Sequence, residues 1–238
     1  MLALLLAACA AGQASEEAVE KPRVGWFSTL PIYWGEGDIA DQLDGDGEKD
    51  WVRAELETRI ELVPLDTLEP EALAGLDRVI LAQPRPLAPS ENVSFDKWLV
   101  EGGKAAILAD PMLTRHSRFP VGDRRRPQDV VLLSPILQHW GVELLFEEDQ
   151  PSGERLIEFA GSSFPVNLAG HFKKLPQQTS NPGCCVHEGG LLAQCHSGNG
   201  LIYLYADAAI LDWEGAEPVP QARKDALWAI FQPIVADR

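Results

Sequence analysis

The chain has 238 residues, enough to bury a sizeable core, and its 45% hydrophobic and 24% charged content is ordinary for a globular protein. Its formal net charge of −16 excludes nucleic acid as a partner, because no basic field opposes the phosphates. The one basic run, Arg124-Arg125-Arg126, sits between Asp123 and Pro127 and reads as a solvated loop.

In chain order, residues 1–22 are a leader and tether. Met1 to Ala8 is wholly apolar, and Leu6-Ala7-Ala8-Cys9 resembles a bacterial lipobox with Cys9 as the lipidated residue. An ordinary signal peptide cut after a small residue is the alternative. Gly12 to Pro22 reads as an acidic tether. Residues 23–238 are read as one α/β domain. Arg23 to Ser28 is the first strand, and Thr29 to Gly37 is a loop from its carboxyl end. Asp44-Gly45-Asp46-Gly47-Glu48 has the look of a calcium loop. It fails the EF-hand ligand pattern, since Gln42 would stand first and Arg53 twelfth. A helix is expected over Trp51 to Thr58, a strand over Ile60 to Val63 and a short helix over Glu69 to Leu76.

The stretch Asp77 to Pro111 is the clearest part. Val79-Ile80-Leu81-Ala82 is a continuous apolar run, as for a parallel strand covered on both faces. Pro84 and Pro86 stop it. Pro89 suits a first helical turn, with Phe95, Trp98 and Leu99 on one face and Gly102-Gly103 as the stop. Ala105 to Ala109 is a second buried strand, completing a βαβ unit with a right-handed crossover. Pro111 to Asp129 is a long irregular insertion, the kind of loop that is usually functional or mobile.

A helix over Val131 to Trp140, a strand from Val142, short β segments between Leu156 and Cys195, a buried strand over Leu201 to Ala206 and a helix over Lys224 to Val235 follow. The expectation is a doubly wound, mostly parallel α/β fold with a small antiparallel β extension in the C-terminal half. Cys195 is expected opposite Cys184 or Cys185, across the Glu188-Gly189-Gly190 turn, as a disulfide of an oxidising compartment. One cysteine is then left over. A metal site from Cys184, Cys185, His187, Cys195 and His196 is the alternative, though no C-x₂-C spacing is present. No segment after the leader is long and apolar enough to span a membrane.

Catalytic motifs fail: the chain has no P-loop, no GxGxxG, no HExxH and no GxSxG. No cysteine occurs between Ala10 and Gly183, so no thiol can stand on a central strand-to-helix turn. What remains is polar residues past strand ends: Gln83, Arg85 and Asp110, with Thr29, Trp34 and Glu36 past the first strand. They form a candidate crevice for a ligand or partner. His116 in the insertion and Asp207 at a late strand end are further candidates, with Asp110 or His116 as the base if the domain is an enzyme.

Ala82-Gln83-Pro84-Arg85-Pro86-Leu87, the helix ending Gly102-Gly103, and Ala109-Asp110-Pro111 together resemble the auxiliary-component domain of uncharacterised ABC-type transport systems, a family that includes the gliding-motility GldG-type proteins. The resemblance implies a flavodoxin/class I glutamine amidotransferase-like fold without the catalytic cysteine. It also implies an extracytoplasmic, membrane-associated, non-enzymatic domain working beside an ABC permease and ATPase or another envelope protein. With the lipobox, the expected place is the periplasmic side of a bacterial envelope, held by a lipid anchor. No cofactor and no metal is expected. A carboxylate- or histidine-based enzyme on the same fold is the alternative.

Overall fold

The computed structural model describes residues 20–36, 49–159, 162–176, 183–187, 189–215 and 217–236. The expected leader with Cys9, and the Asp44 to Glu48 segment, lie outside them.

The architecture is mixed α/β. A seven-stranded sheet holds β1 (Arg23–Ser28), β2 (Glu61–Pro64), β3 (Arg78–Ala82), β4 (Lys104–Leu108), β9 (Cys184–Val186), β10 (Leu192–Ser197) and β11 (Gly200–Tyr205). Their order is β2-β1-β3-β4-β11-β10-β9. The first five in that order are parallel, and β10 and β9 add antiparallel strands at one edge. Two antiparallel pairs stand apart, β5 (Val142–Leu145) with β8 (His171–Lys174) and β6 (Arg155–Phe159) with β7 (Ser162–Val166).

Helices α1 (Trp51–Leu56), α2 (Pro70–Leu73), α3 (Pro89–Val100), α4 (Ser134–His139) and α5 (Gln221–Val235) complete it, with a 3-10 turn at Ala209–Leu211. Among the described residues, no helix is long and apolar enough to cross a membrane.

The apolar strand runs follow from burial on both sides. In β3, Val79 and Leu81 face one core with Phe95 and Leu99 of α3, while Ile80 and Ala82 face a second with α1 and α5. In β4, Ala105 and Ile107 join the first core, Ala106 and Leu108 the second. Period-two alternation between two apolar layers leaves no polar position along the strand. Pro89 opens α3, and the Glu91 carboxylate, at the third helical position, reaches back to accept from the Ala88 N–H at 2.8 Å. Gly200 packs against the end of α3: a Cβ there would collide with the Leu99 carbonyl.

Two expectations change in detail. The helix expected from Val131 starts only at Ser134, since proline is tolerated in a first turn and Pro135 sits there. Val131 lies outside the helix instead, donating its N–H to the Asp110 carbonyl at 3.1 Å. The two pairings open to Cys195 resolve by register. Cys195 stands opposite Cys184 and is bonded to it, whereas Cys185 stands opposite Gln194 with its thiol exposed. Neighbouring residues in a strand point to opposite faces, so only one of the vicinal cysteines can reach the partner. The disulfide removes two ligands from the Cys/His metal alternative. Among the described residues, no group of three or more His, Cys, Asp or Glu is placed to hold a metal ion.

Candidate functional site

The chain leaves β1 to one side for β2 and returns on the other for β3. The carboxyl ends of β1 and β3 therefore form the switch point, where open α/β sheets commonly take ligands. Thr29 and Gln83 stand there.

Gln83 is fully buried, with φ +45°. That left-handed conformation costs a non-glycine residue about 1 kcal/mol, so its surroundings must hold it. Its backbone N–H donates to the Leu108 carbonyl at 2.9 Å. Its carbonyl accepts from the Thr29 N–H at 3.3 Å and the Thr29 hydroxyl at 2.5 Å. Its side-chain Oε1 accepts from the Asp110 N–H at 2.9 Å, and Nε2 donates to the carbonyls of Asp110 at 3.0 Å and Gln128 at 2.7 Å. Gln128 returns its own N–H to Thr29 Oγ1 at 3.1 Å. The insertion thus plugs the switch point, and both Gln83 amide donors are spent inside the protein.

Arg85 turns to the α3 side of the sheet. Its guanidinium donates to both Glu91 oxygens, at 2.7 and 2.8 Å, and to the Asp66 carbonyl at 2.8 Å, 5.0 Å from the centre of the Phe27 ring. Glu91 also accepts from Leu68 N–H and the Thr67 hydroxyl. The Arg85 guanidinium holds its carboxyl well down, at about 2. Arg85 and Glu91 pin the 66–68 turn to α3 and lie apart from the Gln83 network.

Glu36 accepts from Ser117 Oγ at 2.8 Å and Arg118 N–H at 3.1 Å, binding the β1 loop to the insertion. Trp34 is 63% exposed, edge-on to Tyr33. The structure therefore brings Thr29, Gln83 and Asp110 into one knot and places Arg85 elsewhere. Glu36 acts as a strap, and Trp34 is presented outward.

Asp110 meets Asp207. Leu108 and Tyr205 are partners across β4 and β11, so both aspartates lie two residues past that pair, at the same level of neighbouring strands. Both are buried. Asp110 accepts from Met112 N–H at 2.8 Å and Ala208 N–H at 3.2 Å. Asp207 accepts from Asn167 N–H at 2.9 Å and Ala209 N–H at 2.6 Å. Burial lifts Asp110 to about 6, and burial together with the Asp110 charge lifts Asp207 well above the usual carboxylate range. An apolar cavity of about 30 Å³, lined by Phe164, Ile210 and Ile230 among others, abuts Asp207. His116 is exposed on the insertion, its N–H directed to Glu214 at 3.4 Å.

The partners that sequence reasoning missed are Gln128, Asn167 and Glu91. Glu91 three positions after Ala88 was visible as half of a capping pair. Nothing local marks Gln128 or Asn167, whose roles arise from contacts across 45 and 40 residues.

The β1 loop and the segment after β4 expose several large apolar side chains among charged ones such as Arg118 and Arg124. Of eight exposed large apolar residues among those described, five lie on the β1 loop or the segment after β4: Trp34, Met112, Val121, Val130 and Leu132. Val121, at 84%, is the most exposed.

No family model matches the chain, and no curated protein does. Solved structures do. The exo-beta-1,4-mannosidase Op5Man5 from Opitutaceae bacterium strain TAV5 superposes with a TM-score of 0.55 at 11% identity, over 92% of this chain and 37% of that one. This chain thus spans little more than a third of the mannosidase. The N-terminal domain of mmIFT52 superposes with a TM-score of 0.53 at 14% identity, over 92% of this chain and 99% of that one. At such identities the likeness is one of fold alone.

Proposed function

We propose that this chain is a non-catalytic binding domain, accessory to an ABC-type transport system on the periplasmic side of a bacterial envelope, with the lipid anchor at Cys9. Its fold on this reading is the flavodoxin/class I glutamine amidotransferase-like one. The parallel order β2-β1-β3-β4-β11 supports that, being the 2-1-3-4-5 order of doubly wound sheets. The Cys184–Cys195 disulfide supports an oxidising compartment.

The observation that carries the reading is the plugged switch point. Gln128 fills the place of a small ligand, while Trp34 of the β1 loop and Val121 of the insertion stand exposed. Recognition then belongs to the outer face of the knot and to a protein partner. Photo-crosslinkers replacing Trp34 and Val121, in cells carrying a tagged ABC permease and ATPase, are expected to capture the permease. Crosslinks distributed equally over unrelated envelope proteins would count against the reading.

The buried Asp110–Asp207 pair favours a second reading, a carboxylate-based enzyme. The adjoining cavity of about 30 Å³ opposes it. An activity of the purified chain abolished by Asp110→Asn with its melting temperature intact would establish it.

A further inference from the structure

Asp110 and Asp207 are unusual for a buried pair because, among the described residues, no cationic side chain is bonded to either carboxylate. Charged groups do approach from neighbouring elements, but they are engaged elsewhere. Arg223 of α5 donates to Glu154 and to the carbonyls of Ala209 and Ile210. Arg115 of the insertion pairs with Asp50 and Asp212. Arg155 of β6 draws Asp207 downward only through space, and its guanidinium donates to Gln150 at 3.2 Å. The β1 loop offers Leu30 and Ile32, both apolar. Gln83 bonds the backbone of Asp110 and leaves its carboxylate alone.

Two carboxylates at one level of neighbouring strands, away from water, cannot both carry charge cheaply. Their four oxygens together hold four backbone N–H groups, of Met112, Asn167, Ala208 and Ala209. Those groups belong to the start of the insertion, the connection from β7 to β8, and the turn after β11.

We infer that Asp110 and Asp207 form a proton-sharing latch: with one proton between them they clamp the insertion and the β7–β8 connection to the sheet, and release of that proton to solvent loosens both segments. The titration is of the pair, so neither residue owns the proton. The outer face carrying Met112, Val121 and Val130 is thereby tied to the acidity of the surroundings. The inference stands whether or not the partner is a transporter.

Hydrogen exchange of the full chain at pH 5 and pH 8, corrected for the intrinsic rate, tests it. Peptides covering 111–131 and 163–169 are expected to lose protection by roughly tenfold at pH 8, the effect of one pKa unit of differential interaction. Peptides from β1 and β3 should keep theirs. In Asp207→Asn and in Asp110→Asn the remaining acid keeps its burial but loses its charged neighbour, so the difference should shrink towards, without reaching, that of the β1 and β3 controls. Equal protection of wild type at both pH values overturns the latch, as does a full difference surviving in both variants. Should the variants fail to fold, carboxyl ¹³C titration of the wild type decides. Two separated steps, both above the usual aspartate range, are expected. Two ordinary aspartate titrations would refute it.

Discussion

Replacing Gln83 by alanine separates a structural peg from a binding residue. The substitution removes three side-chain hydrogen bonds: it leaves the Asp110 N–H unpaired in the interior and deprives the Gln128 carbonyl of its donor, while the Asp110 carbonyl keeps the Val131 N–H. At about 1 kcal/mol net per bond, with more for any group left unpaired, the loss is about 3–4 kcal/mol. The left-handed backbone at residue 83 remains, since alanine tolerates φ +45° no better than glutamine. For a domain of this size that corresponds to a fall of roughly 10 °C in Tm. Urea unfolding with matched m-values measures it, and hydrogen exchange should show the 128–131 segment losing protection first. A variant that unfolds at the wild-type midpoint yet no longer binds its partner would refute the reasoning, because Gln83 would then contact the partner and not the fold. Gln83→Glu probes the same knot by charge. It puts a carboxylate where two carbonyls need a donor, close to Asp110, so its penalty should be larger at pH 8 than at pH 5.

Glu91→Gln is expected to cost about 3 kcal/mol at pH 7, from a carboxyl held at about 2 against its ordinary value of 4.5. A depressed carboxyl stabilises above its unfolded value and loses that contribution as pH falls, so the gap between variant and wild type should close between about pH 4 and pH 2 in chemical unfolding. Reducing the Cys184–Cys195 bond, which spans 11 residues, should destabilise the chain by about 3 kcal/mol, with Cys185→Ser leaving that loss unchanged. Gly200→Ala should destabilise more than any exposed substitution, since the new methyl meets the Leu99 carbonyl, and its Tm reads this directly. Trp34→Ser should leave stability within about 0.5 kcal/mol while lowering capture of the partner.

The βαβ unit from β3 to β4 was legible because its signals were local: an apolar run, prolines, a glycine stop and a second run within 35 residues. The helix start at Ser134 was less so, because Val131 is buried in the same core as Leu133 and Ile136 while its N–H is taken by the Asp110 carbonyl and not by a helical turn. Placement past the strand ends did bring Thr29, Gln83 and Asp110 together. It said nothing of their being bonded to one another. Arg85 shows the limit, since two residues along from Gln83 the chain has already turned to Glu91 on the other side of the sheet.

By itself the sequence determined the strands, the helix stops and which cysteine region could close, because each depends on neighbours within one or two turns of chain. Only the tertiary structure decided that the switch point is filled by Gln128, that Cys184 and not Cys185 is bonded, and that Asp110 and Asp207 share a buried site. Those outcomes rest on strand register and on hydrogen bonds between segments up to 99 residues apart. In one dimension such groups are merely polar residues. In three they must satisfy one another, because no water is left to do it.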